Sequence, residues 1–120
     1  MDKNKIIQES EKFMKNNIPR SRDKEDYLRH INGARRYAIK LARTYNADRF
    51  VVNVAALLHD VGADVGEKHA EESAKISLKF LSRFDINPIL SEKIIIGKEI
   101  NNRSFFSYLS RKKFPKIYFR

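Results

Sequence analysis

The chain has 120 residues, room for one domain of ordinary size and too little for two. Apolar residues make up 42%, enough for a real core, whereas a charged fraction of 33% excludes a membrane-embedded body and fits a soluble protein. A formal charge of +10 favours anionic partners without naming one, and the absence of cysteine excludes disulfides, thiolate zinc sites, iron–sulfur clusters and cysteine nucleophiles.

Met1 to Ser10 lacks the apolar stretch of a signal peptide, and the longest apolar run, Val54 to Leu58, falls far short of the roughly 20 residues of a spanning helix. The expected address is the cytoplasm, with no membrane association. No internal repeat, Pro/Gly-rich linker or hairpin dipeptide breaks the chain, and Pro19, Pro88 and Pro115 each fall at a plausible junction.

Asp2 to Asn16 sets Ile6, Ile7, Phe13 and Met14 among charged residues, and Asn16-Asn17-Ile18-Pro19 is a place for that helix to stop. From Asp23 to Tyr45 the apolar positions Tyr27, Ile31, Ala34, Ala38, Leu41 and Tyr45 recur at steps of three and four, the strongest periodicity in the chain. His30 lies on the margin of that stripe. Gly33 costs about 1 kcal/mol of helix propensity relative to Ala and marks an expected close helix approach. Asp48 is the expected N-cap of a third helix, in which Phe50 to Leu58 leaves almost no polar face and which Gly62 is expected to end. Ala70, Ser73, Ala74, Ser77, Phe80, Leu81 and Phe84 outline a fourth, before Pro88. Ile89, Leu90, Ile94, Ile95, Ile96 and Ile100 predict a fifth, with a strand as competitor because of the β-branched density. The expected fold is therefore all-α, a compact bundle of about five helices over residues 1–102. Residues 103–120 form a separate basic, aromatic segment, with Arg103, Arg111, Lys112, Lys113, Lys116 and Arg120 and no acidic residue.

The chemically informative feature is His59-Asp60, placed at the end of the most apolar segment. A carboxylate buried there without a cation or several hydrogen bonds would cost several kcal/mol of desolvation, so Asp60 argues for something positive beside it. Side chains at consecutive helical positions diverge by about 100°, but at a helix end both can turn towards an ion off the terminus. Taken alone, a His-Asp dipeptide is more often a hydrogen-bonded couple than a metal site. His30 on a separate amphipathic helix, and His69 close behind the pair, shift the reading towards metal. With no thiolate available the ligands must be His, Asp or Glu, and such a set suits divalent Mn, Fe, Mg, Ni or Zn.

His30, followed by Ala55-Ala56-Leu57-Leu58-His59-Asp60-Val61-Gly62, resembles the signature of the HD-domain metal-dependent phosphohydrolases, over about Tyr27 to Ile100. The resemblance implies an all-helical HD-like fold, a divalent metal held by His30, His59, Asp60 and a later Asp, and hydrolysis of a nucleotide or other small phosphoester by metal-assisted attack of water. His59 and Asp60 would thereby be catalytic. The segment from His69 to Ala74 is similar to one in which binuclear members place a further histidine. His69 is accordingly expected to be a second-metal ligand or a proton donor to the leaving oxygen. Lys68 or Arg36 would steady phosphate, against the commoner reading of both as solvated charges; Glu71 and Glu72 read as surface charges at a helix start. Two positions depart from the family pattern. Asn102 stands where fuller sites carry a His, and the last aspartate is Asp85, before the point where the distal ligand belongs. The sequence thus reads as truncated or altered at its C-terminus.

The alternative function is a catalytically degenerate HD-like module that binds nucleotide or RNA. Phe105, Phe106, Tyr108, Phe114, Tyr118 and Phe119 could stack bases while neighbouring cations contact phosphates, although packing on the core or against a second subunit of a homo-oligomer is the commoner use of such aromatics. A purely structural helical adaptor is the third reading. It requires His30, His59 and Asp60 to form a core network without metal.

Overall fold

The computed structural model describes residues 2–45, 48–61 and 69–96. They form five helices: α1 (Lys3–Asn16), α2 (Lys24–Tyr45), α3 (Arg49–Leu58), α4 (His69–Leu81) and α5 (Pro88–Ile96). Among the described residues there is no strand, so the all-α expectation holds. No helix there is long and apolar enough to cross a membrane.

Short acidic or amide side chains start four of these helices by accepting otherwise unpaired N–H groups. Asp2 accepts from Lys5 N, Asp23 from Asp26 N, Asp48 from Phe50 N and Val51 N, and Asn87 from Ile89 N. The Asn87 cap, with Pro88 at the first helical position, decides the helix-or-strand ambiguity of the isoleucine-rich segment in favour of α5. Ser91 and Ile94, one turn apart, point its buried side inward.

α3 is the centre. Eight of its ten residues, all but Arg49 and Asn53, are buried, and it packs against α2, α1 and α5 while α4 packs on α5. Burying each large aliphatic side chain contributes about 1.5–3 kcal/mol, so truncating the fully buried Leu57 to Ala would cost roughly 2–5 kcal/mol. On α2 the buried row is Tyr27, Ile31, Ala34, Ala38 and Ala42. Ala42 replaces the expected Leu41, which is only partly buried, because the steps of four from Ala34 carry the inner face through 38 to 42. Gly33 is buried on this helix.

Two helix ends come earlier than the apolar pattern predicts. α4 stops at Leu81, where Ser82 Oγ donates to Lys79 O and the N–H groups of Arg83 and Phe84 donate in tight turns. Phe84 therefore lies beyond the helix, edge-on to Phe80, which stacks on Phe13 of α1. α3 stops at Leu58, whose carbonyl accepts from Val61 N. Gly62, Lys68 and residues 97–120, including Asn102 and the basic aromatic segment, lie outside the described residues.

Candidate metal centre

Because α3 ends at Leu58, His59 occupies its C-cap with helical dihedrals (φ −64°, ψ −26°) and Asp60 begins the turn that follows. The two side chains are thus released from the divergence of a regular helix and meet at its end. His59 is fully buried and Asp60 is 4% exposed. His30 approaches from α2, in the turn of Tyr27, Ile31 and Ala34, with 19% of its side chain exposed.

Three atoms converge. His30 Nε2 is 3.1 Å from His59 Nε2 and 3.0 Å from Asp60 Oδ2, and His59 Nε2 is 3.3 Å from the same oxygen. On the far side of its ring, His59 Nδ1 lies 2.6 Å from Ala56 O. A carbonyl can only accept, so Nδ1 carries the proton and the Nε2 of neutral His59 presents a lone pair. Asp60 Oδ2 is also an acceptor. One Nε2–H on His30 can face only one of these two neighbours, and two acceptors would still confront each other across 3.3 Å. The arrangement calls for positive charge at its centre.

The donor set fits a small divalent cation. Two ligand atoms each about 2.1 Å from one ion lie about 3.0 Å apart at a right angle and about 3.4 Å apart at the tetrahedral angle, which brackets the three observed separations. Among the described residues these are the His and carboxylate side chains that gather in this way, and one set of their ligand atoms lies within 4.8 Å. Burial raises the Asp60 carboxyl, but in the metal-free protein, with His59 and His30 each carrying a proton towards it, their charge and hydrogen bonds outweigh this and hold the group well below the usual carboxylate range. Asp60 is an anion here.

The structure thus brings His30, His59 and Asp60 together. His69 is the first residue of α4, and its side chain lies outside the described part. Arg36 is exposed and lines a shallow depression with Glu25, Leu28, Arg29 and Asn32; six residues beyond His30, it points to a different face of α2. Glu72 pairs with Lys75 one turn along α4, as a surface charge does. Two supports escape a reading of the sequence: the Ala56 carbonyl, and Ser77, whose Oγ donates to Leu58 O from α4. A small hydroxyl in the stripe of Ser73, Ala74 and Ser77 was the available signal for the second.

An all-helical domain with two histidines and an aspartate at the buried end of its central helix defines a class. The HD domain family matches residues 27–108, more than half of the chain and inclusive of all three cluster residues, and the chain belongs to that family. HD domains bind divalent metals and belong to a superfamily of metal-dependent phosphohydrolases. No curated protein and no solved structure matches the chain.

Proposed function

We propose that this chain is a divalent-metal-dependent phosphohydrolase acting on a nucleotide or other small phosphoester, with His30, His59 and Asp60 as its metal ligands. The observation that carries this reading is the mutual approach of three potential ligand atoms to 3.0–3.3 Å at the end of α3. When bound, a divalent ion supplies Lewis-acid polarisation of a phosphoryl oxygen and acidifies water. The chain's own contribution is orientation. Ala56 fixes the His59 tautomer, the hydrogen bond from His30 helps keep Asp60 ionised, and the apolar α3 surroundings exclude competing solvent. The same reading gives His69, from its sequence segment, the part of a further ligand or of proton donor to the leaving oxygen.

The test is the metal content of protein purified without a histidine tag, for wild type and for His59→Ala with Asp60→Ala. Near-stoichiometric metal, absent from the double variant, followed by turnover in a phosphoester screen, supports the proposal; unchanged turnover in His69→Ala removes that residue from it. No metal after loading with Mn or Ni would instead favour the degenerate module.

A further inference from the structure

We draw no further inference here: the strongest candidate, the shallow depression on α2 lined by Asn32, Arg35, Arg36 and Ile39, has its Arg35 already engaged by Asn53 and Glu11, and nothing in the structure shows what would occupy it.

Discussion

His59 donates from Nδ1 to the carbonyl oxygen of Ala56, three residues back in its own chain, across 2.6 Å. One bond therefore sets both the tautomer and the plane of the ring, and aims Nε2 at His30 and Asp60. Gln in place of His59 cannot both donate to Ala56 and present a lone pair at the same point. His59→Gln should lose more than the tenfold to hundredfold in metal affinity typical of outer supporting groups. In thermal melts, metal at about 100 times its dissociation constant should stabilise wild type by about 2.7 kcal/mol and the variant by essentially nothing. An equal metal-induced shift in both proteins would show that the ion binds elsewhere.

Asp60 gives the metal-free protein a pH dependence. Burial raises its carboxyl, but His59 and His30 more than offset this, so the folded-state value lies below the unfolded one, about 3.9 for Asp. A group lowered on folding stabilises the fold above its unfolded value and loses that contribution as the pH falls towards its folded one. Urea unfolding of chelator-treated protein should therefore show stability falling below about pH 4, and Asp60→Asn should fall less steeply across the same window. Parallel curves would mean that Asp60 is not held as an anion.

Much of this architecture was legible because local rules and burial agree. The row from Tyr27 to Ala38 and the all-apolar run around Val54 predict the inner face of α2 and the central position of α3, and both are buried as expected. His30, on the edge of one pattern, and His59-Asp60, at the end of the other, were readable as neighbours only on the supposition that the two helices pack side by side. What the sequence does not encode locally is where a helix end is clipped. Gly62 was the visible stop signal, yet α3 ends at Leu58, where the turn bond from Val61 and the Ser77 hydroxyl of another helix meet its carbonyl. Arg35 was missed for the same reason, since its partners come from α1 and α3; the lone polar Asn53 in an apolar helix was the clue.

Arg35 joins three helices, and its two bonds differ in worth. Nε donates to Asn53 Oδ1 at 2.9 Å in a part-buried setting, whereas the Glu11 carboxylate is 3.8 Å away and over a third exposed. Arg35→Ala should cost about 1–2 kcal/mol through the lost hydrogen bond and its aliphatic stem, and Glu11→Ala no more than about 0.5 kcal/mol. A double-mutant cycle by urea denaturation should find coupling of about 1 kcal/mol between Arg35 and Asn53 and almost none between Arg35 and Glu11. The reverse order would contradict the arrangement of these three side chains.

Ser77 should act on the metal centre without touching it. Its hydroxyl donates at 3.3 Å to the carbonyl of Leu58, an oxygen that belongs to the peptide unit leading directly into His59. Ser77→Ala removes that restraint with little change in volume, at a cost of about 0.5–1.5 kcal/mol to the metal-free fold. If the bond also positions the His59 ring, metal affinity should fall about tenfold, the lower end of the range for supporting groups, and the metal-induced rise in melting temperature should shrink. Ser82→Ala is the matched control, because that exposed hydroxyl bonds Lys79 O at the end of α4. It should leave the metal-induced rise intact. A Ser77→Ala protein that melts earlier yet keeps the full metal increment would reduce the bond to helix packing alone.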